Sequence, residues 1–174
     1  LFLVSSVSFA IFGTQFKSNN VIKSGSILFS YEEESRGIYI TNAYPIPDEE
    51  GKRLSKDREY FDFEVSYSVL DKKTTDTAFY QISLVPDSKN TLDSNYVRVY
   101  LLEDGEEVSL CGNNKVCSYS KLKDSKIRNG AKMLLKRISD TYIHSYTLRL
   151  WVSYDYTVSQ ASETFRCYVA VDGY

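Results

Sequence analysis

The most regular pattern along the chain is Phe61-Asp62-Phe63-Glu64-Val65-Ser66-Tyr67-Ser68-Val69, where apolar and polar side chains alternate. Successive side chains of a strand point to opposite faces, so this run predicts a strand with one face buried and one wet. Noisier alternation runs through Tyr80, Ile82 and Leu84, through Val97, Val99 and Leu101, and through Tyr146, Leu148, Leu150 and Val152. The last run sets Phe165, Cys167, Val169 and Val171 on one face and Arg166, Tyr168 and Asp172 on the other. Phase alone therefore predicts one core containing Phe61, Phe63, Val65, Leu148, Leu150, Val169 and Val171. A slip of one residue would expose the whole set. Nearer the start, Ser26 to Tyr31 and Gly37 to Thr41 are apolar runs separated by Glu32-Glu33-Glu34-Ser35-Arg36, a hairpin or a loop. Tyr44 to Gly51 should not continue a strand, because Pro45 and Pro47 lack a donor and fix φ. Asp48 to Lys56 can form a short helical turn. Ala131 to Ile138 fits helix or strand, and its place between two turn-like segments favours strand.

Turn formers at Asp87-Ser88-Lys89-Asn90, Glu103-Asp104-Gly105 and Arg128-Asn129-Gly130 separate these runs. Short strands so spaced predict an all-β fold, an antiparallel β-sandwich of jelly-roll-like kind, rather than alternating strands and helices. Residues 1–20 read as an apolar N-terminal arm and linker, and 21–174 as the sandwich domain. Composition agrees: 15 Tyr and 9 Phe stand against one Met and 3 Pro, and aromatic side chains pack well on a pleated surface. A chain of 174 residues buries about two-thirds of its unfolded surface without needing a metal or a disulfide. With 21 basic and 23 acidic residues, net −2, and the charges read as well mixed, no basic stripe points to nucleic acid.

The first twelve residues, Leu1 to Phe12, are uncharged and mostly apolar. They are too short to span a bilayer, which takes ~20 apolar residues. They read as the end of a secretory leader, with Ser8 and Ala10 at the small-residue positions of a cleavage site. Retained, such an arm must be covered by its own sheet, a membrane or a neighbouring subunit. Leu3, Val4, Val7, Phe9, Ile11 and Phe12 supply its apolar surface. Val7, Phe9 and Ile11 share one strand face, Ser8 and Ala10 the other. Gln15 to Asn20 is a polar link.

Cys111 and Cys117 flank Gly112-Asn113-Asn114-Lys115-Val116, rich in turn formers. A hairpin there would oppose the two sulfurs and allow a disulfide in an oxidising compartment. The alternative is two reduced thiols in a cytosolic hairpin. Zinc suits the spacing poorly, and no second pair exists. Cys167 shares the apolar phase of Phe165 and Val169, as a buried free thiol would. His144 is the one histidine and reads as a surface or edge residue entering a strand. No nucleophile elbow, helical zinc motif or phosphate-binding glycine loop occurs. Glu32-Glu33-Glu34 and Asp48-Glu49-Glu50 lack the spacing of a calcium loop and read as solvated charge. Trp151, on the face opposite Leu150, covers the second face of the sheet, joins an interface or fills a satellite core.

The segment Asn20-Val21-Ile22-Lys23-Ser24-Gly25-Ser26-Ile27-Leu28-Phe29, following the apolar leader, resembles the start of the camelysin and TasA-like family of bacterial matrix-fibre proteins. Gly37 to Gly51, with its Asn42-Ala43-Tyr44-Pro45-Ile46-Pro47-Asp48-Glu49-Glu50-Gly51 core, resembles a segment of surface proteins of low-GC bacteria and some phages. The first resemblance implies a β-sandwich and secretion to the cell surface. It also implies a homopolymer, as in a biofilm matrix fibre or pilus, in which each subunit donates an N-terminal strand to the next. The metal-dependent proteolysis described for camelysin is not carried over, because no matching metal motif is present here. The expectation is thus a non-enzymatic structural subunit without cofactor or metal, its partners copies of itself. A pilin-like or membrane-anchored surface protein, or a viral or phage surface protein, are the alternatives, since sandwiches host many functions.

Overall fold

The computed structural model describes residues 20–24, 27–33, 38–40, 44–55, 60–69, 78–139, 143–157 and 163–173. The chain opens with β1 (Asn20–Ser24), β2 (Ile27–Glu33), β3 (Ile38–Ile40) and β4 (Pro45–Ile46), followed by the one-turn helix α1 (Asp48–Gly51). Three longer strands come next: β5 (Tyr60–Val69), β6 (Ala78–Pro86) and β7 (Val97–Glu103). Short strands β8 (Glu106–Glu107) and β9 (Val116–Ser118) precede a 3-10 turn at Tyr119–Lys121 and β10 (Lys123–Asp124). The chain then runs through β11 (Lys132–Ser139), β12 (Ile143–Ser153) and β13 (Phe165–Gly173).

Two sheets result. Sheet A runs β1-β2-β5-β12-β7-β8, with β9 beside β8 on the far side of β7, and sheet B runs β10-β11-β6-β13-β3. The protein is therefore an all-β sandwich, as the alternating runs predict. The pairing register explains the core. Phe61 lies opposite Leu148 and Phe63 opposite Tyr146 across β5 and β12. Leu84 lies opposite Val169, and Ile82 opposite Val171, across β6 and β13. All seven side chains expected in the core are buried, Phe61 and Leu148 completely. Each such side chain contributes ~1.5–3 kcal/mol on leaving water.

Three expectations change. Of the hairpin or loop expected at Glu32–Arg36, the hairpin is excluded, because β2 belongs to sheet A and β3 to sheet B. Pro45 does enter a strand: β4 pairs in parallel with β12, Pro45 opposite Val152 and Ile46 opposite Ser153. It lies past the point where β5 leaves β12 at Tyr60 and Arg149, so the missing donor interrupts no ladder. His144 is buried rather than superficial, because it shares the inward phase of Tyr146, Leu148 and Leu150 on β12.

Each sheet also carries a cover on its outer face. On sheet A, α1 lies over Trp151, whose indole N–H donates to Asp48 Oδ1 at 3.2 Å. On sheet B, Gln81 and Ser83 point away from the core phase yet are fully buried. The segment after β10 lies over them: Gln81 Nε2 donates to Ser125 Oγ at 2.6 Å. Arg128 grips Asp172 of β13 through two donors, at 2.6 and 3.2 Å.

Candidate functional site

The arm residues Leu3, Val4, Val7, Phe9, Ile11 and Phe12 lie outside the described residues. What the structure gives is the body to which the arm is joined. β1 is the outermost strand of sheet A, and it lies alongside β13 of sheet B.

The rims of sheet B differ. β3 covers β13 only at Phe165, Cys167 and Arg166 between them. Among the described residues, no strand pairs with Val169 to Gly173 on that side. A free rim strand exposes unused N–H and C=O groups and invites another strand. Val169, Ala170 and Val171 are buried, and no lysine or proline interrupts this rim. At the opposite end of sheet B, β10 pairs with β11 only at Lys132 and Met133, and the rest of β11 carries the usual safeguards. Its pairing with β6 shifts register between Met133 and Leu135. Lys136 lies exposed on it, and Arg137 turns inward to Glu103 at 3.0 Å. Bulges and charges of this kind discourage pairing from outside.

The polar groups at one end of the sandwich form a second constellation. Asp104 and Gly105 both have positive φ, 51° and 85°, the conformation of a tight hairpin turn that Asp-Gly adopts readily. That turn is tied to β12. Asp104 N–H donates to Ser145 O at 2.8 Å, and Asp104 Oδ1 accepts from Ser145 N–H at 2.9 Å. Asp104 Oδ2 lies 2.7 Å from His144 Nδ1. Burial pushes the Asp104 carboxyl up, but the Ser145 N–H and His144 outweigh it and hold it below the usual range. Beside this pair, Tyr146 OH donates to Glu103 Oε1 at 2.8 Å and lies 2.7 Å from Tyr80 OH. Since the Tyr146 proton is committed to Glu103, Tyr80 is the donor to Tyr146. Burial raises Tyr80 to about 12, against the help of its bond to Tyr146. Burial pushes Tyr146 up further.

A histidine on an aspartate invites comparison with a nucleophilic triad. The neighbouring hydroxyl, Ser145 Oγ, donates instead to Glu64 Oε1 at 3.2 Å, because consecutive strand residues face opposite ways. The geometry supports a tie between the β7–β8 turn and β12. The signal for it was in the sequence, in the parity of His144 with Tyr146 and Leu148.

Cys111 and Cys117 are joined in a disulfide, their Cα atoms 5.8 Å apart. The local pairing is tighter than a hairpin from one cysteine to the other. Cys111 bridges Asn114 across Gly112 and Asn113, and Cys117 lies in β9, opposite Val99 of β7. Cys167 is free and fully buried, and burial pushes its thiol well above the usual range. Among the described residues, no three His, Cys, Asp or Glu side chains are grouped to hold a metal ion, and no helix is long and apolar enough to cross a membrane.

Charge is less evenly spread than it reads along the sequence. From Lys121 to Arg137 there are seven basic residues and one acidic, Asp124. Arg128, Lys132 and Arg137 are paired, with Asp172, Asp124 and Glu103. Lys121, Lys123 and Lys126 are exposed and make no ion pair among the described residues. The expectation of no basic stripe is corrected to this extent. On sheet A, Glu49, Glu50 and Glu106 are exposed, the first two on α1 and the third on β8.

Fold and site together define an all-β sandwich of two sheets in which, among the described residues, Val169 to Gly173 of β13 have no strand partner on the side of β3. No protein-family model, no curated protein and no solved structure matches the chain.

Proposed function

We propose that this chain is a structural subunit that joins copies of itself head to tail into an extracellular filament. In this reading, residues 1–12 of one copy add a strand to the sandwich of the next. The observation that carries it is the run Val169 to Gly173 of β13, with which no strand pairs on the side of β3 among the described residues. The donor segment alternates in the manner an acceptor needs, with Val7, Phe9 and Ile11 on one face. Main-chain bonds from such an added strand give affinity, and its side chains give register. The link has suitable reach: residues 13–19 can extend roughly 20–25 Å. Because each copy gives one strand and receives one, the contact is heterologous and need not close, which produces a filament rather than a ring. The camelysin and TasA-like resemblance at Asn20 to Phe29 supports the same reading, and the Cys111–Cys117 disulfide suits an oxidising exterior.

Deleting residues 1–12 is the direct test. The full chain should form filaments visible by electron microscopy. The truncated chain should sediment as a folded monomer, and a synthetic peptide of residues 1–12 should bind it. Filaments of unchanged form from the truncated chain would show that strand donation is not the mechanism. An arm that folds back onto its own sheet would instead leave the full chain monomeric at every concentration.

A further inference from the structure

We infer that Asn129 is a site of spontaneous covalent modification, where the folded chain converts to isoaspartate and loosens the cover of sheet B, whether or not copies assemble. The sequence holds three pairs of the reactive kind, Asp104-Gly105, Asn129-Gly130 and Asp172-Gly173. In each, the glycine has no side chain to shield its backbone nitrogen from the carbonyl carbon of the preceding side chain. The fold leaves one pair free. The Asp104 carboxylate accepts from Ser145 N–H and lies on His144, and the Asp172 carboxylate is gripped by Arg128. A held carboxylate is also a poorer electrophile than an amide. Asn129 and Gly130 are exposed, and neither makes a hydrogen bond or ion pair among the described residues. Arg128 to Ala131 form a type II turn: Ala131 N–H donates to Arg128 O at 3.3 Å, and Gly130 takes a φ of 77°. A Cβ built on Gly130 would meet nothing within 4 Å, so the attacking group stands in open space.

The Gly130 nitrogen attacks Cγ of Asn129 and closes a five-membered succinimide. The side-chain nitrogen leaves as ammonia, taking the proton that Gly130 gives up. Water then opens the ring. Addition at Cγ leaves aspartate. Addition at the main-chain carbonyl leaves isoaspartate, whose backbone passes through Cβ and Cγ and is one methylene longer. The turn that lengthens is the one that holds the cover. Ser125 N–H donates to Ala131 O at 2.9 Å, and Arg128 N–H donates to Ser125 Oγ at 3.0 Å. Ser125 Oγ in turn accepts from Gln81 Nε2. The new carboxylate follows Arg128 directly in the chain and competes with Asp172 for its guanidinium. Both changes loosen the segment, and water reaches Gln81 and Ser83, which are fully buried in the unmodified fold.

The test ages the full chain in warm neutral buffer, folded and in urea side by side, and maps its peptides by mass spectrometry. In the folded chain, position 129 should lose its amide while positions 104 and 172 stay unchanged. In urea all three should convert. An isoaspartyl methyltransferase, supplied with its methyl donor, should label the aged chain and not N129Q, whose longer side chain would have to close a six-membered ring. Hydrogen exchange then reads the cover. The Ser125 and Ala131 amides of the modified chain should exchange about fivefold faster than those of N129Q, the change that losing one hydrogen bond makes. Retention of the amide at 129 in the folded chain, while the unfolded chain loses it, would overturn the site. Equal conversion at 104 or 172 in the folded chain would overturn the selection. The effect on the cover is overturned if modified and N129Q chains exchange alike. It is equally overturned if N129D, which adds the charge without the methylene, exchanges as fast as the modified chain.

Discussion

At the scale of single residues, the outer face of sheet A depends on a glycine. A Cβ built on Gly51 would overlap the indole carbons of Trp151, so only a residue without a side chain lets α1 lie flat on the ring. Gly51→Ala should cost ~1–3 kcal/mol, the usual penalty for overpacking, read as a lower midpoint in urea. Adding Trp151→Phe should return part of the loss. The tyrosine pair in the interior makes a prediction of a different kind. Tyr80 is raised to about 12 from 10.0, so the folded state resists losing this proton more than the unfolded chain does. Stability should therefore be intact below pH 10 and fall as the pH rises through about 12. Tyrosinate absorbance followed together with unfolding tests this. Hydroxyls that ionise near pH 10 while the protein stays folded would contradict the buried pair.

At the scale of elements, strand phase was legible and strand partnership was not. The alternation at Phe61 to Val69 fixes which side chains enter the core, because the period of two and the burial of one face leave a single choice. Nothing local says that β2 and β3 enter different sheets, since both are short apolar runs that either sheet would accept. The parallel pairing of Pro45 and Ile46 was hidden for a related reason. A proline excludes the middle of a ladder, but not a short strand placed past the end of another. His144 is buried because its parity with Tyr146 and Leu148 on β12, and not its polarity, decides which way it faces. The loop closed by Cys111 and Cys117 was legible from its turn residues, although the pairing inside it is tighter than a hairpin. A loop separated by only 6 positions contributes about 2–3 kcal/mol to stability. Reduction should lower the thermal midpoint by an amount of that order without unfolding the sandwich at room temperature. The replacement of both cysteines by serine should match it.

At the scale of the whole molecule, the two sheets divide the work. Sheet A carries α1 over Trp151, and sheet B carries the segment after β10 over Gln81 and, among the described residues, a run of β13 with no strand partner on the side of β3. The lone thiol of Cys167 adds a constraint in time. It is sealed on β13, opposite Pro86 and Ile38, while Cys111 and Cys117 hold each other. In an oxidising medium an unfolding event frees a thiolate that can attack that bond, and exchange needs access before anything else. Every such opening is a chance to reshuffle the bond or to couple two chains by the wrong sulfurs. Long service then depends on how rarely the sandwich opens more than on how far its equilibrium lies towards the native side. A slow unfolding rate is what this cysteine demands of its fold.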